Sequence, residues 1–226
     1  MQQMDTTELN AEKIFRDVIA IGGSAGGIQP LLRILGRLPV DLPAAIVVTL
    51  HRSASGHTTL SRVLGRHVLL PVVEPEDGAR LHRGVVYVAP ADRHMVLEGG
   101  VVRLTDGPKE HHCRPAIDPL FRSASAAYGP RVAGVLLSGL GFDGVAGLRA
   151  IKSAGGLCFV MRPEEADYPA LPTNAITYAH VDAILRLIEI PELFRELADG
   201  NVISEPNGLR AASTSDSLGP LSGEGR

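Results

Sequence analysis

FRDVIAIGGSAGG, residues Phe15–Gly27, decides how this chain is read. Val18, Ile19, Ala20 and Ile21 form a continuous apolar run of the length of a strand buried on both faces. Gly22, Gly23, Gly26 and Gly27 admit backbone angles closed to other residues and let a second molecule approach closely. Ile28, Leu31, Leu32, Leu35 and Leu38 then recur at helical spacing, with Pro30 tolerated in the first turn. Ser24 therefore falls between the C-terminal end of a strand and the N-terminus of a helix. There open α/β sheets bind ligands, and free backbone N–H groups can hold negative charge. Three readings compete for this turn. Gly22-x-Ser24-x-Gly26 matches a nucleophile elbow. A dinucleotide fingerprint would need glycine in place of Ser24 and an acid ending the next strand. A glycine-rich connection would need no chemistry at all. The turn alone does not decide among them.

Working outward, a second apolar strand, Ala45 to Leu50, ends directly at His51, and a short helix carries Leu60, Val63 and Leu64. Val72-Val73 and Val85 to Val88 read as strands, and His94 to Glu98 with Val101 to Thr105 as a hairpin turning at Gly99-Gly100. Asp118-Pro119 has the form of an N-cap followed by proline at the first helical position, opening a helix with Leu120, Phe121, Ala124 and Tyr128 on one face. Arg131 to Ser138 is a third buried strand, followed by GLGFDG and a helix carrying Val145, Leu148 and Ile151 that Gly155 caps. Leu157 to Met161 is another strand, Asn174 to Tyr178 a short helix and Val181 to Leu187 a partial strand, and Pro191 opens the last helix. Apolar strands alternating with amphipathic helices predict a single-domain, doubly wound α/β fold, with a mostly parallel sheet and helices on both faces. It spans residues 14–199, between a flexible tail at 1–13 and a Ser-, Gly-, Pro- and Asn-rich disordered tail at 200–226.

Bulk properties exclude several classes. A chain of 226 residues with a net charge of −3 and mixed signs shows no basic face for nucleic acid or a membrane surface. Cys113 and Cys158 lie far apart and form no C-x-x-C, which suggests free thiols in a reducing compartment. The polar N-terminus is no signal peptide and the apolar runs are only strand-length, so a cytoplasmic protein without membrane insertion is expected.

Ser24, His51 and Asp143 share one predicted location, the edge to which a parallel sheet brings the C-terminal ends of its strands. Serine is a weak nucleophile and needs a base within hydrogen-bond reach, which in turn needs a group fixing its tautomer. The order Ser, His, Asp differs from the Ser, Asp, His of α/β-hydrolases, but triads are defined by geometry. Bland readings exist for each partner. Asp143 before Gly144 could simply cap the helix at Val145, and His51 could be a polar residue closing a strand. His57 is a rival base. His111, His112 and Cys113 resemble a metal cluster, but neighbours on an extended chain point to opposite faces, so no metal and no other cofactor is expected.

Six stretches taken in order, IGGSAGG, the LHR turn at His51, VYVAPADRHM, CRPAIDPLFRSAS, GVLLSGLGFDGVAGL and ALPTNAI, together resemble the catalytic domain of CheB-type chemotaxis protein-glutamate methylesterases. The resemblance covers about Val18 to Val181. It implies a serine hydrolase that removes methyl esters from glutamate side chains of bacterial chemoreceptors and often deamidates glutamine. It places the family's serine on Ser24, its histidine on His51 and its aspartate on Asp143. Methylated cytoplasmic helices of chemoreceptors become the expected partner. The chain departs from the family pattern in three places. Arg52 to His57 replaces Met-Pro-Pro-Gly-Phe after the histidine, Phe142 replaces an asparagine, and Tyr168 to Pro172 replaces a glycine-rich run. The stretch before Phe15 is too short for the receiver domain that members commonly carry, and a separate signalling regulator is a further candidate partner.

The expected mechanism has His51 take the Ser24 proton, Asp143 orient His51, and the backbone N–H groups of Ala25 and Leu140 hold the oxyanion. Two alternatives remain at this point. One is a non-catalytic signalling module on the same fold, motivated by the altered loop after His51. The other is an esterase or amidase for a different substrate.

Overall fold

A computed structural model describes residues 14–52 and 60–200; His57, the predicted tail at 1–13 and the predicted tail at 200–226 beyond Gly200 lie outside the described residues. Along the chain run β1 (Val18–Gly23), α1 (Ile28–Leu35), β2 (Ala45–Leu50), α2 (Leu60–Leu64), β3 (Val72–Val73), β4 (Val86–Val88), β5 (His94–Glu98), β6 (Val101–Thr105) and α3 (Ile117–Tyr128). They are followed by β7 (Val132–Leu136), α4 (Val145–Ser153), β8 (Leu157–Met161), α5 (Ala170–Tyr178), β9 (Ala183–Leu185) and α6 (Ile190–Ala198).

Seven strands form one sheet in the order β3-β4-β2-β1-β7-β8-β9, and every neighbouring pair in it is parallel. The sequence predicted a mostly parallel sheet; the antiparallel pair β5–β6 stands apart as its own hairpin, turning at Gly99-Gly100 as expected. The chain winds outward from β1 through β2 and β4, then returns to lay β7 on the other flank of β1. That reversal makes β1 and β7 the topological switch point of the sheet, and doubly wound sheets place their ligands at the C-terminal ends of the strands there.

Alternate residues of β1 feed two cores, which is why the strand reads as continuously apolar. Ile19 and Ile21 pack with Leu31, Ile34 and Leu35 of α1 and with Leu193, Phe194 and Leu197 of α6. Val18 and Ala20 face the other way, with Ile117, Leu120 and Phe121 of α3, Leu148 and Ile151 of α4, and Met95 and Leu97 of the hairpin.

Several predicted details shift. Helix α1 stops at Leu35, with Gly36 after it, so Leu38 packs from the following loop, and Ile28 faces solvent. Helix α5 begins at Ala170 rather than Asn174, because Pro172 falls in its first turn where a missing N–H costs nothing. Asp118 is no N-cap: α3 begins at Ile117 with Ala116 in the capping position, and the Asp118 side chain serves a different helix.

At the opposite edge of the sheet Asp17 is buried, and its carboxylate accepts hydrogen bonds from the guanidinium groups of both Arg83 and Arg131. Burial alone would raise its pKa; the two arginines, Arg131 foremost, outweigh that and hold it below the ordinary carboxylate value. A depressed folded-state pKa contributes stability above the unfolded value and loses it as pH falls below about 4. Removing the carboxylate strands two arginines, but both are about half exposed and water rehydrates them. Asp17→Ala is therefore expected to cost about 2 kcal/mol, or about 4–8 °C in melting temperature at pH 7. Melts of the two proteins at pH 7 and pH 3 should converge at the acid end; an equal difference at both would refute this account.

Candidate active site

Three segments deliver three side chains to that edge of the sheet. Ser24 follows β1, His51 follows β2, and Asp143 lies in the turn between β7 and α4. The parallel register aligns Gly23 with Leu50, and the His51 N–H donates to the Gly23 carbonyl at 3.1 Å, so Ser24 and His51 leave neighbouring strands side by side. His51 Nδ1 lies 3.0 Å from Ser24 Oγ, and its Nε2 lies 2.6 Å from Asp143 Oδ2. An ionised Asp143 fixes the proton on Nε2, which leaves the Nδ1 lone pair to accept the serine hydroxyl proton. Relative to the common serine-protease arrangement the ring nitrogens exchange roles, but the chemistry requires only one N–H and one lone pair on opposite sides of the ring.

Asp143 is held by more than the histidine. Its Oδ2 accepts the Ile117 N–H at 2.7 Å and its Oδ1 the Asp118 N–H at 2.9 Å, two of the donors that the first turn of α3 leaves open. Asp118 returns the arrangement: its Oδ1 accepts the N–H groups of Gly144 and Gly147, where α4 begins. Asp143 thus satisfies the start of α3 and Asp118 the start of α4, so the capping of the Val145 helix that the bland reading gave to Asp143 falls to Asp118. Burial pushes the Asp143 pKa up, but hydrogen bonds from His51, Ile117 and Asp118 prevail and keep it below the ordinary value. For Asp118, burial and the neighbouring Asp143 charge win over its hydrogen bonds and its pKa is raised. Two adjacent carboxylates are separated in this way, with the one facing the histidine the more readily ionised.

The turn carrying Ser24 is braced from below. The Ser24 N–H donates to the Ser138 carbonyl at 2.9 Å, and Ser138 Oγ donates to the Ala25 carbonyl at 2.9 Å while accepting the Tyr168 N–H at 3.0 Å. Gly26 has φ +72°, and a Cβ there would stand 2.7 Å from Ser138 Oγ; a Cβ on Gly139 would stand 2.9 Å from that of Ser24. The Gly139 N–H is taken by the Tyr168 carbonyl at 2.9 Å. The N–H groups of Ala25 and Leu140, the two predicted for the oxyanion, find no acceptor among the described residues.

His111, His112 and Cys113 do not run extended. Positive φ values of 49° and 63° at the two histidines turn the chain back on itself. His111 Nε2 reaches Asp118 Oδ2 at 3.1 Å, while Cys113 Sγ lies 3.4 Å from His51 Nδ1, so the cluster disperses to separate partners. Burial, with the Asp143 charge behind it, raises the Cys113 pKa and keeps a neutral thiol beside the base. His111, Asp118 and Asp143 do place ligand atoms within 4.8 Å of one another. Three of the four carboxylate oxygens accept backbone N–H donors, so the two aspartates serve the starts of α3 and α4.

Asp118 and Ser138 lie inside two of the stretches that carry the resemblance, CRPAIDPLFRSAS and GVLLSGLGFDGVAGL, but neither was assigned a part in the site. The signal for Asp118 was a charged residue one position into an otherwise apolar helix start; for Ser138, nothing in the sequence separates it from the end of a strand.

Fold and site define a class: a doubly wound α/β domain with serine, histidine and aspartate assembled at the switch point of a parallel sheet. Comparison with known proteins makes the class specific. The family model for CheB methylesterase matches residues 19–194, and the chain belongs to that family. It is 38% identical over 196 residues to protein-glutamate methylesterase/protein-glutamine glutaminase 2 of Anaeromyxobacter dehalogenans, covering 87% of this chain and 57% of that one. The corresponding protein 1 of Paramagnetospirillum magneticum is also 38% identical, over 187 residues, 80% of this chain and 49% of its own length. The chain thus spans about half the length of these curated relatives. The crystal structure of the Thermotoga maritima CheB methylesterase catalytic domain superposes with a TM-score of 0.76 at 32% identity, covering 80% of this chain and 98% of that one. No helix among the described residues is long and apolar enough to cross a membrane.

Proposed function

We propose that this protein is a serine hydrolase that removes methyl esters from glutamate side chains of bacterial chemoreceptors and deamidates glutamine at such sites, acting in the cytoplasm on the receptors' helical segments. The observation that carries the proposal is the unbroken relay from Ser24 Oγ through His51 to Asp143, at 3.0 and 2.6 Å. The names of the relatives, which pair esterase with glutaminase, supply the substrate class.

In this mechanism His51 Nδ1 takes the Ser24 proton as Oγ attacks the γ-carbonyl carbon. Asp143 stabilises the imidazolium, and the N–H groups of Ala25 and Leu140 hold the oxyanion of the tetrahedral intermediate. Collapse breaks the bond to the methoxy oxygen, which takes the proton from His51 and leaves as methanol; from glutamine the same step releases ammonia. Water then attacks the acyl-Ser24, gives its proton to His51, and frees glutamate with Ser24 restored. Membranes bearing methyl-labelled chemoreceptors should release labelled methanol when the protein is added. Release no faster than in buffer would overturn the proposal.

A further inference from the structure

Around Ser24 the surface is unusually apolar. Ile28, Leu140, Phe142, Tyr168 and Tyr178 are each between 43% and 59% exposed. Leu140 and Phe142 lie on the turn that leads into Asp143; Tyr168 and Tyr178 flank and end α5. The Phe142 and Tyr178 rings pack on each other, with centroids 5.6 Å apart and a tilt of 52°, rather than into either core. Their backbone is pinned from both sides. The Leu171 N–H donates to the Gly139 carbonyl at 2.9 Å and Asn174 Nδ2 to the Gly141 carbonyl at 2.7 Å. Gly139 itself abuts Ser24. Large apolar groups held half in water on a braced frame lose little freedom when covered, which is the condition for efficient recognition. Through Gly139 the turn bearing Leu140 and Phe142 abuts Ser24, which sets these side chains on the side from which a segment presenting an ester there would approach.

We infer that Phe142 and Tyr178, with Leu140, form a specificity subsite that takes an apolar side chain lying one helical turn from the modified glutamate on a helical substrate segment. The inference rests on the proposed function and deepens it. A glutamate side chain reaching Ser24 from a helix brings residues three and four positions away onto the same face, and so onto the rim.

The test uses the Ser24→Ala protein and two alanine-rich helical peptides carrying a single glutamate γ-methyl ester, one with leucine four residues to either side and one with serine there. Dissociation constants are read by fluorescence anisotropy. The leucine peptide should bind about tenfold more tightly, the scale expected for covering one large apolar side chain. Adding Phe142→Ser and Tyr178→Ser should reduce the ratio to about two or less, and Phe142→Ser alone should remove most of it if the double variant does not fold. Tyr178→Phe, which keeps the ring, should preserve it. Equal affinities for the two peptides, or a preference that survives the serine variants, overturns the subsite. The ratio is read in a protein that cannot turn over, so failure of methanol release by the parent enzyme counts against the esterase and not against this surface.

Discussion

Ser24→Ala is expected to lower methanol release by about 10³–10⁶-fold while moving the melting temperature by no more than about 2 °C. In the proposed mechanism the kinetic loss follows from removing the atom that attacks the ester. What survives is the rate that oxyanion donors and binding alone sustain. The small thermal effect follows from what Ser24 touches: its hydroxyl bonds to His51, and the turn around it is held by the Ser24 N–H and by Ser138, which an alanine leaves in place. Initial rates on labelled receptor membranes together with a melt decide the matter. Release within tenfold of the parent protein would show that another group attacks the ester. A large thermal shift would show that the serine had a structural task not visible in its contacts.

Asp143→Asn should fail on both counts, with kcat falling by about 10³–10⁴ and stability by about 2–4 kcal/mol. An amide nitrogen facing His51 Nε2 favours the wrong tautomer, placing the proton on Nδ1 where the serine needs a lone pair, and it no longer stabilises an imidazolium. The amide also has one acceptor where Asp143 uses two. With the amide nitrogen at the Oδ2 position, the Ile117 N–H meets a donor and the Asp118 N–H keeps only a neutral acceptor. Denaturant titration and steady-state kinetics on the same preparation test both halves. A variant as stable as the parent would mean that the start of α3 does not depend on this carboxylate, and undiminished kcat would remove Asp143 from the relay.

Much of this was legible in the sequence because the signals were local. Buried parallel strands announce themselves as unbroken apolar runs, and the hairpin at Gly99-Gly100 was read to the residue. Ser24, His51 and Asp143 each sit immediately beyond or near a strand end, so topology alone brought them to one edge. What stayed hidden was long-range exchange. Asp118-Pro119 carries the local chemistry of a helix cap, yet its carboxylate crosses to α4, a partner 26 and 29 residues away. Ser138 looks like the tail of a strand and braces a turn more than a hundred residues earlier. Two positive φ values at His111 and His112, on residues that seldom adopt them, undid the extended geometry assumed there. In each case tertiary contacts overrode a correct local preference.

The crossed aspartates make the two ends of the relay unequal in what they can lose. The serine hydroxyl is dispensable to architecture, whereas the carboxylate at the far end secures a helix start as well as a proton. A lineage of this domain drifting away from turnover would therefore discard the attacking group early and retain the acid long after it had ceased to serve chemistry. The melts of the two variants described above measure that asymmetry directly.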